Sequence, residues 1–324
     1  MRHVTFILTM LLATTTWSRA EHFQVGGLPD DAPAGFSQFF TKHVDVLGLH
    51  VYANAQTPDT KVLHTANILA QWIDNDEDGT PDDAVVHQKL LSLHASMIMW
   101  NTENQFENSG FEETIPDDVF DTTVLQLQFG LETNPGYPGN QQFDATLEET
   151  LHLVTWGGYS RVYPSVFGEF SGSQIANAMD ANIANGFYHY DDPTCDYECL
   201  VTEYHYWALT SMLGAQDYSW RIPEIMGEWE LYSPSLVEQN DPAVHALMSD
   251  PQWSFATVLP DGNYVPHENS CPADLDDNGS VDVNDVLLIL AAFNTPGPSG
   301  DLNNDGTVDV TDILILLAAY GNCP

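Results

Sequence analysis

The chain has almost no positive charge. Seven lysines and arginines stand against 47 aspartates and glutamates, for a formal net charge of −40 over 324 residues. That imbalance argues against nucleic acid and anionic membranes as partners, because both would repel the protein. It suits divalent cations, basic partners, mineral surfaces, or a saline medium that screens self-repulsion. Long apolar runs are also lacking after the first twenty residues: none reaches the roughly 18–20 residues of a membrane span. There is no P-loop, no dinucleotide fingerprint and no G-x-S-x-G nucleophile elbow. Cysteines number four.

What is present begins with an address. Met1–Ala20 carries Arg2 at its head, an apolar run from Val4 to Ala13, and small residues at Ser18 and Ala20. This is the pattern of a secretory signal peptide cleaved before Glu21, so the expected mature protein is secreted and extracellular. Its acids are spread among Trp, Tyr, Phe and Leu, as in a folded acidic protein. Four cysteines in an exported chain suggest two disulfides, Cys271–Cys323 and Cys195–Cys199.

Two stretches near the C-terminus repeat one another with a period of roughly 27 residues. The first offers Asp274, Asp276, Asn278, Ser280, Asp282 and Asp285; the second offers Asp301, Asn303, Asp305, Thr307, Asp309 and Asp312. Side-chain oxygens fall at positions 1, 3, 5, 9 and 12, a backbone carbonyl is available at position 7, and Gly279 or Gly306 makes the turn at position 6. A twelve-residue loop surrounds Ca²⁺ with six to eight oxygens in this way. Amphipathic runs follow, Val286–Phe293 and Ile313–Tyr320.

An ordinary EF-hand closes with Glu at position 12, whereas both copies here carry Asp. With the loop-then-helix order and the short spacer, this resembles the type I dockerin module over Cys271–Pro324. The resemblance implies two antiparallel helices held by calcium and a cohesin-like scaffold as partner. It would be read near Val283–Asn284 and Val310–Thr311. The alternative is a calcium-stapled cap that stabilises the C-terminus. The only glycosylation triplet, Asn278-Gly-Ser, lies inside a calcium loop.

The body, residues 21–260, is joined to the module (271–324) by a Pro/Gly/Asn-rich linker at 261–270. Residues 42–53 read as a strand and Thr60–Ile73 as a helix. A third calcium loop follows at 74–85, with Asp74, Asp76, Asp78, Thr80 and Asp82 in register. Position 12 is Val85, so Asp83 or a distant residue would have to close it. The alternative is a solvated acidic turn. Ala84–Trp100 reads as a second helix and Thr123–Phe129 as a strand.

One stretch of the body could carry chemistry. In Glu148-Glu149-Thr-Leu-His152, Glu148 and His152 stand at i and i+4 on one helical face. This is the spacing of the H-E-x-x-H zinc helix with Glu in the first ligand position. A strand and loop before it, and a helix bearing Glu203 about 50 residues later, resemble the order in zincin metallopeptidases. That resemblance implies Glu148 and His152 as ligands, Glu203 or His205 as the third, and Glu149 as general base. The competing reading makes Thr146-x-x-Glu149 a capping box and His152 a core residue.

The expected architecture is α+β: a mostly helical body with a small sheet, plus a small all-α dockerin-like module. The expected cofactors are two or three calcium ions, with zinc in the body as the further candidate. Two functions follow. One is a secreted calcium-binding protein of an extracellular assembly, matrix or mineral. The other is a zinc-dependent, peptidase-like hydrolase anchored by its module. A polysaccharide-degrading enzyme is a weaker third reading, since no catalytic acid pair is identifiable.

Overall fold

A computed structural model describes residues 22–190, 192–266, 271–276, 280–294, 300–303 and 306–322. The expected leader at 1–20, the loop ligands Asn278 and Asp305, and Cys323 of the expected 271–323 pairing lie outside the described residues. The fold is α+β. Strands β1 (Lys42–Val46), β2 (Leu49–Ala53), β3 (Ser96–Trp100) and β4 (Leu125–Phe129) form one mixed sheet in that order. β1 pairs antiparallel with β2; β2–β3 and β3–β4 are parallel.

Two expectations about this sheet are corrected. Residues 42–53 are a hairpin, not one strand. Leu47 and Gly48 both take positive φ (53° and 84°), the conformation a two-residue hairpin turn requires. Ala84–Trp100 is not one helix. Helix α2 covers only Ala84–Ser92, His94 turns left-handed (φ 46°), and Ser96–Trp100 continues as β3. All five β3 residues are buried because apolar layers cover both faces of the sheet. A strand buried on both faces loses its period of two, and so reads like helix in the sequence.

One layer sets Phe36, Phe40, Phe111, Tyr52, Ile98 and Trp100 against one face. The other, larger core holds Val51, Met97 and Met99 with the apolar sides of two helices. These are α1 (Asp59–Ile73) and α3 (Thr146–Val154). α3 buries Leu147, Leu151, Leu153 and Val154 there, which leaves Glu148, Glu149 and His152 to face β4 and a later helix. A π-helical turn, Thr155–Tyr159, extends α3. Gly157 and Gly158 lie within it, where a Cβ would stand 3.0 Å from Leu90 and 2.7 Å from Val86 of α2 (Ala84–Ser92), so this turn and α2 pack backbone against side chain. α4 (Gln174–Asn185) and α5 (Tyr197–Met212) complete the helical layer.

The entrance to α3 is fixed by a buried pair. His64 of α1 donates from Nε2 to Asp144 Oδ2 at 2.6 Å, and Asp144 Oδ1 accepts from the backbone N–H groups of Asn134 and Thr146. Burial alone would raise the Asp144 pKa; the His64 contact and the backbone donors overcome that and hold it below the usual range. The expected Thr146–Glu149 capping box does not form. Thr146 is already inside the helix, no side chain caps from the N-cap position, and Glu149 turns to Gln126.

In the module, α6 (Val283–Ala291) and α7 (Val310–Ala318) each start on an Asp–Asp capping box, 282/285 and 309/312. They enclose a separate apolar cluster of Ala273, Val281, Ile289, Val308 and Leu316. Residues 261–265, at the start of the expected linker, are tied to the body through Gln71, Glu77 and Asp74. No helix among the described residues is long and apolar enough to cross a membrane.

Gly262 has φ +77°, and a Cβ there would collide with the His64 ring, which Asp144 holds in place. Gly262→Ala should therefore cost about 1–3 kcal/mol. A urea titration would show this as a lowered midpoint, whereas Gly27→Ala, where a Cβ meets nothing within 4 Å, leaves the midpoint unmoved.

Candidate metal centre

Helices α3 and α5 bring together residues that are 51 and 55 positions apart. Glu148, His152 and Glu203 each present a ligand atom, and the three atoms lie within 4.8 Å of one another. His152 and Glu203 are 6 % and 8 % exposed. His152 Nε2 stands 3.8 Å from Glu203 Oε2, too far for a hydrogen bond, and neither atom has any hydrogen-bond partner. Two buried polar atoms left unpaired this close together call for an explanation. Donors each about 2.1 Å from one tetrahedral zinc would stand roughly 3.4 Å apart, so the separation fits a shared cation.

The electrostatics point the same way. Burial pushes the His152 pKa down to about 4, so its imidazole is neutral and can donate a lone pair. The three carboxylates move in the opposite direction. Burial raises Glu148, against a hydrogen bond from Tyr206 and the charge of Arg221. Burial and then Glu148 raise Glu149; burial, Glu148 and Glu149 raise Glu203. A divalent cation would relieve all three at once.

The surrounding shell is ordered. Gln126 of β4 donates from Nε2 to Glu149 Oε2 at 2.6 Å, and Glu149 Oε2 is 3.9 Å from His152 Nδ1. Behind Glu148 runs a chain of donors: Tyr206, then Gln216 (3.1 Å to the Tyr206 hydroxyl), then Arg221 (3.0 Å to Gln216 Oε1). The Arg221 guanidinium lies 3.9 Å over the Phe143 ring. Outer partners of this kind orient ligands and tune what they bind. The sequence reading missed Gln126, Tyr206, Gln216 and Arg221. Gln126 lies on β4 and the other three lie within residues 206–221, and no local spacing marks any of them.

Of the two candidates for the third ligand, Glu203 joins the cluster. His205, two residues on, is not among the convergent ligand atoms; its ring packs between Phe167 and Phe255, its buried Nε2 also has no hydrogen-bond partner, and burial and then His152 lower its pKa to about 3. The Cys195–Cys199 disulfide is present at the start of α5. Trp229 is fully buried and donates to Ser211 Oγ, so it is a core residue.

The acidic loops have a common geometry. Asp74, Asp76 and Asp78 converge within 4.8 Å, as do Asp274, Asp276 and Asp285. The position-6 glycine donates to the position-1 aspartate in both fully comparable loops, Gly79 to Asp74 (2.8 Å) and Gly306 to Asp301 (2.7 Å). Asp285 accepts from Leu275, Asp276 and Asp282, and Asp312 accepts from Asn303 and Asp309. The position-12 aspartate thus draws its loop in and caps the following helix. In the body loop Thr80 donates its N–H to Asp78, and Asp82 accepts from Asn75. Burial raises Asp82 to about 7 and Asp74 to about 6. Asp83 does not close this loop, because its carboxylate caps α2 and accepts from the Tyr163 hydroxyl.

Comparison with protein-family models, curated proteins and solved structures finds no match to this chain. The chemistry is therefore read from the geometry.

Glu148, Glu149 and Glu203 hold protons in the folded, metal-free protein that they release on unfolding, where the ordinary glutamate value is 4.5. Their contribution to stability is therefore greatest at acid pH and falls as pH rises above that value. Urea midpoints measured in chelator between about pH 5 and 8 should show Glu149→Gln losing less stability than the parent over that interval.

Proposed function

We propose that the body is a metal-dependent hydrolase of peptide-type amides, with zinc held by Glu148, His152 and Glu203. The observation that carries this is the pair of buried, unpartnered atoms, His152 Nε2 and Glu203 Oε2, beside two further glutamates. The residues that carry them, with Gln126, line a cleft of about 370 Å³. The donor set of two carboxylates and one imidazole falls within zinc's range of ligands, and is harder than a thiolate or all-histidine set. A cation here would supply Lewis acidity to a carbonyl oxygen.

The chain's own groups do the rest. Glu149, oriented by Gln126, takes a proton from the attacking water and passes it to the leaving amine. The Tyr206–Gln216–Arg221 chain holds Glu148 in its ligating position and offsets part of its charge.

The C-terminal module is read as a calcium-stabilised attachment unit. Val283, Leu287 and Leu290 on α6 are exposed, and so are their repeat mates Val310, Leu314 and Leu317 on α7. The spacing i, i+4, i+7 makes each set one stripe. A mineral would engage carboxylates; paired apolar stripes fit a protein surface, such as the cohesin-like scaffold that the dockerin resemblance implies.

Elemental analysis of the purified protein tests the first reading. Zinc near one per chain should disappear in His152→Ala. Glu149→Gln should keep the metal and lose peptide hydrolysis by about 10²–10⁴-fold. A parent protein that holds calcium alone after zinc loading would overturn the hydrolase reading and leave a calcium-dependent binding protein. For the module, chelation of calcium should loosen α6 and α7, since the loop carboxylates then repel without a counter-ion. Hydrogen exchange at 283–291 and 310–318 would report it.

A further inference from the structure

The cleft in front of the metal centre has an unusual wall. Its lining includes His152 and Glu203 together with Trp156, Glu169, Asp196 and Glu198. No lysine or arginine among the described residues lines it. An adjoining groove of about 210 Å³ shares Trp156, Glu169 and Glu198 and adds Arg161 at its rim. Arg161 is engaged with Trp156, lying 4.9 Å over the ring and donating to its carbonyl.

Glu169 is the informative residue. It is partly buried, and Oε1 accepts from the Thr202 hydroxyl at 2.8 Å. Burial raises its pKa to about 7; the Thr202 hydrogen bond opposes this, Glu198 adds to it, and Arg161 offsets it least. A neutral hydroxyl and a rim arginine leave this negative charge under-compensated, and the metal ligand set does not include it. Low-dielectric walls focus such a field on whatever enters. The cleft is more than a stretch of acidic surface, because its lining includes His152 and Glu203, whose buried Nε2 and Oε2 have no hydrogen-bond partner.

We infer that this cleft selects substrates carrying a lysine or arginine side chain next to the scissile amide, held by Glu169 and Glu198. The inference rests on the hydrolase reading of the same site. A cationic side chain supplies the counter-charge that the wall lacks, and an acidic one would meet Glu169, Glu198 and Glu203 together. The size agrees: about 370 Å³ is at the small end of ligand pockets and accommodates one or two side chains, not a long polymer segment.

The test uses zinc-loaded, full-length protein and two capped peptides that differ in a single residue, arginine or the isosteric but neutral citrulline. Calorimetry with Glu149→Gln, which disables turnover, should show the arginine peptide binding at least about tenfold more tightly, or about 1.4 kcal/mol. The Glu169→Gln/Glu198→Gln double variant should bring that ratio close to one while its zinc content stays at the parent level. In the parent, the arginine-to-citrulline ratio of kcat/KM should follow the binding ratio. Equal binding and equal cleavage of the two peptides would overturn this inference and leave the hydrolase standing. Selective binding of the arginine peptide without cleavage of any peptide would overturn the hydrolase and retain the cation-selective cleft. An unchanged preference in the double variant would overturn the assignment to Glu169 and Glu198.

Discussion

Three glutamates and a neutral histidine are enclosed between α3, α5 and β4, and the remaining features of the body can be understood from the cost of keeping them there. A carboxylate removed from water is expensive unless it is paired or protonated. Among the described residues, Arg221 is the guanidinium that reaches Glu148, and it does so through Gln216 and Tyr206. The other charges are left to push each other's pKa upward. Such an arrangement persists only where the surrounding packing over-determines it.

The His64–Asp144 pair fixes where α3 begins, and the π-helical turn fixes where it goes next. π turns of this kind commonly sit at functional sites, since they shift the register of the side chains that follow. Aromatic side chains fill the space behind: Tyr159 stacks on Phe255, and His205 lies between Phe255 and Phe167. Tyr206, whose hydroxyl reaches Glu148, is itself fully enclosed.

The same problem of like charges in a small space recurs at the acidic loops, with a different local answer. There the aspartates are short, spaced two apart, and tied to backbone N–H groups of their own loop. Their side chains therefore preform a concave set of oxygens before any ion arrives. The site between α3 and α5 gets its shape from tertiary packing. The loops get theirs from twelve consecutive residues.

That difference decides what could be read from the amino-acid order. The acidic loops and the i, i+4 pair Glu148/His152 were legible because their geometry is local: turn chemistry in one case, helical periodicity in the other. The short Cys195–Cys199 bridge was legible for the same reason. Tertiary structure alone decided that Glu203 and not His205 completes the cluster, because two residues on a helix face opposite ways and only packing says which way α5 is rolled. It also decided that Ser96–Trp100 is a central strand, since burial on both faces erases the alternation that marks strands. Gln126, Gln216 and Arg221 act from distant segments through contacts made only after the chain has closed, and spacing along the sequence carries no trace of such contacts.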